Sequence, residues 1–216
     1  MNKPKIINFH KQKVRKKVKC IDGIKYFNQK QIKLLRRTVR DKADKGTITA
    51  IREWMAIDLL TCTGLRVSEA ANLRCSDLKL RYGQSSIFVR EGKGSLSGHV
   101  QIPEALKRHL KAFLFWKKEQ GEAIGPDDYL FMGQRGPWTS QAIQQIVKKY
   151  LKTLGLYENG KSVHALRHSY AVQLYAQEKD LRAVQKQLRH RSIKNTQIYA
   201  DVTNEAIKTQ VQRLWG

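Results

Sequence analysis

The sequence predicts a mixed α+β fold, mainly α-helical with one small antiparallel β-hairpin. Three observations lead there. Capped amphipathic windows recur from Asn28 almost to the end of the chain. A single stretch, "SSIFVREGKGSLSGHVQIP", alternates with the period of a strand. No internal repeat or low-complexity linker divides the 216 residues, so one mixed domain follows a basic N-terminal arm.

The arm spans residues 1–27. Residues 1–40 carry fourteen Lys or Arg against one acid, Asp22. The segment "KPKIINFHKQKVRKKVK" has little apolar periodicity and is expected to be mobile away from a polyanion. From Asn28, "NQKQIKLLRRTVR" reads as a capped cationic helix. Next, "TITAIREWMAIDLLTCTG" sets Ile48, Ile51, Met55, Ile57, Leu59 and Leu60 on a broad apolar face that ends at Gly64, which makes it the first core helix. The alternating stretch then supplies two strands joined through Gly-Lys-Gly-Ser, with Lys93 near the tip and Pro103 closing the unit. Five further helical windows follow, "PEALKRHLKAFLFWKKEQG", "TSQAIQQIVKKYLKTLG", "VHALRHSYAVQLYAQ", "DLRAVQKQL" and "TNEAIKTQVQRLW", each bounded by Gly, Asn, Asp, Ser or Thr. The main domain is drawn at residues 28–199. A tail helix occupies 200–216, with Thr203 as cap and Ile207, Val211 and Leu214 at helical spacing.

Charge narrows the partners. The formal net charge is +24, from 42 Lys and Arg against 18 Asp and Glu, and the pI is near 10.2. Such a surface seeks polyanions, and double-stranded nucleic acid is the expected partner because neutralised phosphates release condensed counterions. A membrane partner is not expected, since no apolar run approaches the ~18 residues a span needs and no signal-peptide pattern is present. Cys20, Cys62 and Cys75 form no C-x-x-C pair, so reduced thiols and a cytoplasmic setting are expected, with no disulfide framework.

Four segments hold polar residues that amphipathicity does not require: Arg66 in "TGLRVSEAANL", Lys93 in "EGKGS", His164 and Arg167 in "HALRH", and His190 with Tyr199 in "LRHRSIKNTQIYADV". Singly, each has a plain reading as a surface cation, a hairpin tip or a half-buried aromatic. Together, in the order Arg, Lys, His-x-x-Arg, His, Tyr, they resemble the tyrosine site-specific recombinases, the phage integrase family. The resemblance runs over roughly residues 28–213. "TGLRVSEAANLRCSDL" is similar to that family's first arginine box, and "HALRHSYAVQLYAQEKDLRAVQKQLRHRSIKNTQIYADV" to its second box through to the nucleophile.

The resemblance implies that family's catalytic-domain fold and a DNA strand-exchange activity through a 3′-phosphotyrosyl link, without ATP, metal or other cofactor. The chemistry explains the residue types. Two guanidiniums, Arg66 and Arg167, hold the non-bridging oxygens where charge grows, and losing one such donor typically costs about 2.7–4 kcal/mol of transition-state stabilisation. A tyrosine with an ordinary pKa of about 10 needs a group to take its proton. His164 is the candidate for that role. Lys93 is the candidate acid for the departing 5′-oxygen, and His190 would donate to the scissile phosphate. Glu69, three residues after Arg66, would orient that arginine. DNA contacts are assigned to Lys11, Lys13, Arg15, Lys16, Lys17, Lys19, Arg36, Arg37, Arg189 and Arg191.

Two departures from the family pattern stand out. Arg189 occupies the place before the second histidine where the family usually has Gly, and it is read here as an added phosphate contact. Residues 1–46 are too few for the core-binding domain that typical members carry, which leaves either a short catalytic-domain-only member, like the fimbrial-switch recombinases, or a fragment. The tail helix is expected to dock on a neighbouring protomer, giving a tetramer on synapsed sites and a monomer or weak oligomer without DNA. Rival readings are a topoisomerase IB-like relaxing enzyme, a catalytically silent DNA-binding protein, and a zinc hydrolase suggested by the i, i+4 spacing of His164 and His168. The last lacks a third ligand in the sequence, and His168 is read as a packing or supporting residue.

Removing residues 1–27 is expected to weaken DNA binding at moderate salt and to flatten the slope of log affinity against log salt. An unchanged slope would reduce the arm to a solvated tail.

Overall fold

The computed structural model describes residues 24–90 and 96–201. Most of the arm, the hairpin tip with Lys93, and the tail from Val202, including the window capped by Thr203, lie outside the described residues.

Helix α1 (Gln29–Ala43) begins as its sequence demands. Asn28 accepts the Gln31 N–H while the Gln31 side chain accepts the Asn28 N–H, a reciprocal cap. Its buried residues, Ile32, Leu35, Val39 and Ala43, recur at helical spacing and face α2 (Ile48–Thr63). Packing starts before α1, however. Phe27, assigned by sequence to the arm, is buried, and its N–H donates to Ser169 Oγ at 2.7 Å. An aromatic side chain gains more from that core than a solvated arm offers it.

Helix α2 is the centre of the domain and packs against α1, α4 (Glu104–Glu119) and α6 (Val163–Glu178). Met55, Ile57, Leu59 and Leu60 are buried, so its apolar residues are covered on more than one side. Asp58 is buried on this helix with two hydrogen-bonding neighbours. Arg36 donates to Asp58 Oδ1 from Nε and Nη2 at 3.0 and 2.7 Å, and His109 Nδ1 lies 2.9 Å from Oδ2. Arg36, expected at a phosphate, is thus engaged in joining α1 to α2, whereas Arg37 is exposed. Cys62 and Cys75 are free thiols, and burial, reinforced by Asp58, pushes Cys62 up to about 11.

The expected hairpin is present as β2 (Ser86–Val89) and β3 (Gly98–Gln101), antiparallel with Ile87 opposite Val100. A two-residue strand β1 (Leu78–Lys79), absent from the sequence reading, pairs with β2 to make a three-stranded sheet. A second small pair, β4 (Met132–Gly133) and β5 (Gly136–Pro137), leads into α5 (Ser140–Thr153). Strands of two residues carry no readable alternation, which is why they escaped pattern analysis. The fold class stands as read, mainly helical with small antiparallel sheets.

The main core gathers residues from α1, α2, the sheet, α4 and α5, including Leu35, Ile57, Val100, Phe113, Phe131 and Val147. A smaller cluster, Ala171, Val172, Val184, Leu188 and Tyr199, lies among α6, α7 (Leu181–Leu188) and α8 (Lys194–Asp201). Between α2 and this cluster sits Gly64, left-handed at φ 63°. A Cβ there would stand 2.5 Å from the Tyr170 ring and 3.0 Å from Leu188. Among the described residues no helix is long and apolar enough to cross a membrane.

Gly64→Ala is expected to combine left-handed strain with overpacking and to destabilise the domain by about 1–3 kcal/mol. The check is a lowered denaturant midpoint at unchanged slope; a midpoint equal to wild type would show that Tyr170 moves aside freely.

Candidate active site

Arg66 follows the turn at Gly64 and precedes α3 (Val67–Ala71), so the end of α2 determines where it stands. Glu69, one turn on, holds it from both ends. The Arg66 N–H donates to Glu69 Oε2 at 2.7 Å and Nη1 donates to Oε1 at 3.0 Å. The arginine side chain keeps 27% exposure, enough to meet a ligand.

Arg167 projects from the middle of α6 and is buried. Its Nη1 donates to the Gly64 carbonyl at 2.5 Å and its Nη2 to the Leu188 carbonyl at 2.8 Å. Those carbonyls close α2 and α7, where helix dipoles favour a cation. Glu69 Oε2 lies 3.9 Å away. Burial, with Arg66 beside it, pulls the Arg167 pKa down to about 10, which still leaves it charged at neutral pH.

Arg189 differs from its sequence assignment. It closes α7 in the left-handed conformation, φ 53°, the geometry that glycine usually supplies at a helix end. Its side chain is 4% exposed and runs beside Gly98, and Nη2 donates to Glu69 Oε2 at 2.6 Å. The guanidinium therefore engages a carboxylate inside the domain, where the sequence reading had put it on a phosphate. Burial alone would raise the Glu69 pKa, but Arg189 and the Arg66 N–H outweigh it and hold the carboxyl below its usual range.

His190 follows in the turn to α8. Its Nδ1 lies 2.9 Å from Oγ1 of Thr196, a fully buried residue that the sequence reading passed over. A threonine hydroxyl donating to Nδ1 leaves the ring's single proton on Nε2, free to be given to an anion. Burial, then Arg167 and Arg66, depress His190 to about 4, so the ring is neutral at pH 7.

Tyr199 on α8 is 1% exposed and belongs to the small apolar cluster, stacked at 15° on His190 with ring centroids 6.4 Å apart. Its hydroxyl meets His168 Nδ1 at 3.1 Å. Burial raises its pKa, while Arg167 and Arg66 pull against that rise. His164 lies exposed one turn before His168, and no hydrogen bond joins it to Tyr199 among the described residues. The structure thus gathers Arg66, Glu69, Arg167, His190 and Tyr199, adds His168 and Thr196, and leaves Arg191 exposed nearby. His164, Arg167 and His168 stand at i, i+3 and i+4 of α6, a spacing readable in advance, although His164 is exposed where the other two turn inward. Among the described residues no group of three or more His, Cys, Asp or Glu could hold a metal ion.

The hairpin that leads to Lys93 is tied to this pocket. Gln187 on α7 donates to the Gln101 carbonyl at 2.7 Å and accepts the Gln101 N–H at 3.2 Å, so a side-chain amide caps the open edge of β3.

The pattern that defines the phage integrase family matches residues 25–206. The tyrosine recombinase XerD of Oceanobacillus iheyensis is 31% identical over 217 residues, covering 96% of this chain and 72% of that protein. The tyrosine recombinase XerA of Pyrococcus furiosus is 34% identical over 164 residues, 76% of this chain and 54% of that one. Among solved structures, XerH bound to a palindromic difH substrate after cleavage superposes with a TM-score of 0.72 at 25% identity, covering 89% of this chain and 53% of that chain. The XerA recombinase crystal structure gives 0.69 at 25% identity, over 87% and 62%. The chain thus spans between about half and three quarters of the length of these relatives.

The pKa depressions have a definite sign in acid. The unfolded chain protonates a histidine near pH 6.5, but folded His190 resists until about 4, so its contribution to stability is lost as pH falls through that window. Glu69, also depressed, contributes fully above the usual carboxylate range and loses its share below it. Thermal unfolding is expected to move to lower temperature from pH 7 to pH 4 as His190 loses its share, and further below about pH 4.3, where Glu69→Gln should show a shallower acid limb; parallel limbs below that pH would remove Glu69 from this linkage.

Proposed function

We propose, since the chain belongs to the phage integrase family, that it is a site-specific DNA recombinase, cleaving and rejoining double-stranded DNA through a phosphotyrosyl intermediate. One observation carries the reading. A tyrosine hydroxyl shares a pocket with two arginines and a neutral histidine, the set that phosphoryl transfer to a side-chain oxygen requires.

In this reading the scissile phosphate sits against Arg66, whose exposed guanidinium meets a non-bridging oxygen. Arg167 adds its fixed charge from below. The His190 Nε2–H donates a hydrogen bond to the same phosphate. Tyr199 Oη forms a bond to phosphorus, the bond to the 5′-oxygen breaks, and Lys93 supplies that oxygen's proton. The products are a 3′-phosphotyrosine and a 5′-hydroxyl. A second 5′-hydroxyl reverses the step, and the ester energy kept in the protein link makes ATP unnecessary and a metal dispensable.

The residues ahead of the packed Tyr26 and Phe27 act here as an electrostatic arm along the duplex, with Lys11, Lys13, Arg15, Lys16, Lys17, Lys19, Arg37 and Arg191 at phosphates. Residues 28–199 form the catalytic domain. The segment from residue 200 docks on a neighbouring protomer, so that a ring of four assembles on two synapsed duplexes. Such a protein works where chromosomal or mobile-element DNA lies, in the cytoplasm.

Nicked duplexes tiled from the DNA flanking the coding region, mixed with protein without added metal and run on a denaturing gel, test the reading. A heat-stable, protease-sensitive adduct is expected with wild type and not with Tyr199→Phe, whose DNA affinity should be nearly unchanged. An adduct formed equally by Tyr199→Phe would remove Tyr199 from the chemistry.

A further inference from the structure

The proposed reaction leaves one question of atoms open: where the Tyr199 proton goes. His164 was the candidate from sequence, yet it lies on the exposed face of α6. His168, one turn later on the same helix, has its Nδ1 3.1 Å from Tyr199 Oη, and the two rings lie 5.8 Å apart with a 50° tilt. Among the described residues it is the hydrogen-bond partner of that hydroxyl. We propose that His168 is the general base of the transfer, taking the Tyr199 proton on Nδ1 as Oη attacks phosphorus. The proposal rests on the recombinase reading and deepens it.

The surroundings suit an acceptor. Burial, His164 and Arg167 all push the His168 pKa down, so at neutral pH the ring is uncharged and able to offer a lone pair. The charged and titratable groups around it are His164 and Arg167 on its own helix, Tyr199 on α8, His190 from the turn before α8, and Arg66 from the turn before α3, which acts on Tyr199. Nearly all are cationic or become so on protonation. An imidazolium at His168 is therefore disfavoured until a phosphate brings negative charge into the pocket. The same arrangement that makes His168 a lone-pair donor at rest ties proton transfer to the presence of DNA.

The step balances. The Tyr199 O–H bond breaks and its proton joins Nδ1; the Oη–P bond forms; the P–O5′ bond breaks, and its electron pair goes to the 5′-oxygen, which receives a proton from the acid assigned to Lys93. In rejoining, the incoming 5′-hydroxyl gives its proton back to the Lys93 amine as it attacks phosphorus, the Oη–P bond breaks, and Nδ1 returns its proton to Tyr199. His168 also stands on a helix that Arg167 fastens to the ends of α2 and α7, so the acceptor is held by the core of the domain.

The plain alternative is that His168 merely packs against the tyrosine. Adduct formation under single-turnover conditions separates the two, using the full chain, the tiled nicked duplexes, and pH values from 6 to 9. For His168→Ala and His168→Gln the rate is expected to fall by about 100- to 10000-fold, the usual range for a lost acid–base group, with DNA affinity unchanged. The wild-type rate should be level across this range, while both variants rise roughly tenfold per pH unit as solvent base takes over. Added imidazole should restore part of the His168→Ala rate. With a 5′-bridging phosphorothiolate, whose sulfur leaves without a proton, the His168 defect should persist, whereas that of Lys93→Ala should disappear. Variant pH profiles parallel to wild type overturn the proposal whatever the size of the loss. If His168→Ala fails to fold, the His168→Gln profile alone decides, because glutamine keeps a polar side chain yet cannot carry the proton. Adduct from wild type with parallel variant profiles sinks this assignment alone; no adduct from wild type on any duplex sinks the recombinase reading itself.

Discussion

The guanidinium of Arg167 cannot give up its charge at neutral pH, so everything around it has to satisfy a buried cation. The chain does this with the carbonyls of Gly64 and Leu188, which end α2 and α7, and with Glu69 beyond them. Four helices, α2, α3, α6 and α7, are therefore gathered on one side chain. Removing one partner of a buried charge typically costs about 3–5 kcal/mol, so this contact constrains the fold as strongly as the chemistry. It also explains the demand at Gly64. That residue must be left-handed to end α2, must admit the Tyr170 ring, and must aim its carbonyl at Arg167.

Around that cation the pocket holds more positive than negative charge. Arg66, Arg167 and Arg189 share a single carboxylate, Glu69, and both nearby histidines are held neutral. Such a site is electrostatically unfinished. In the proposed reaction an entering phosphate diester would supply what is lacking, which lowers the cost of placing developing negative charge there. Arg189 is the unusual member. It accepts a left-handed backbone, strained for a residue with a Cβ, and its ion pair with Glu69 spans the gap between α7 and α3.

The hairpin enters the same assembly through its edge. Gln187 mimics a strand residue along Gln101, and the Arg189 stem lies beside Gly98, so α7 carries both the second histidine's turn and the base of the hairpin. A shift of α7 would move His190 and the root of the loop holding Lys93 together. That linkage is mechanical rather than chemical, and it arises from one amide and one glycine.

The residues themselves determined the helices, the cationic balance, and the order of polar positions later found around one pocket. Caps such as Asn28 with Gln31, stops such as Gly64, and the apolar spacing of α1 and α5 are local signals, readable without a partner. The order Arg66, Arg167, His190, Tyr199 was likewise legible, because phosphoryl chemistry restricts which side chains can serve. Only the tertiary structure decided which partners these groups have. Arg189 meets Glu69 across 120 residues of chain, Arg36 turns to Asp58, and Tyr199 meets His168 in place of His164. Tyr199 also proves to be both core and candidate nucleophile, a choice that sequence had posed as exclusive. The physical reason is distance along the chain. Periodicity and capping act over a few residues, whereas an ion pair or a hydrogen bond in a pocket depends on the whole backbone path that brings its two ends together.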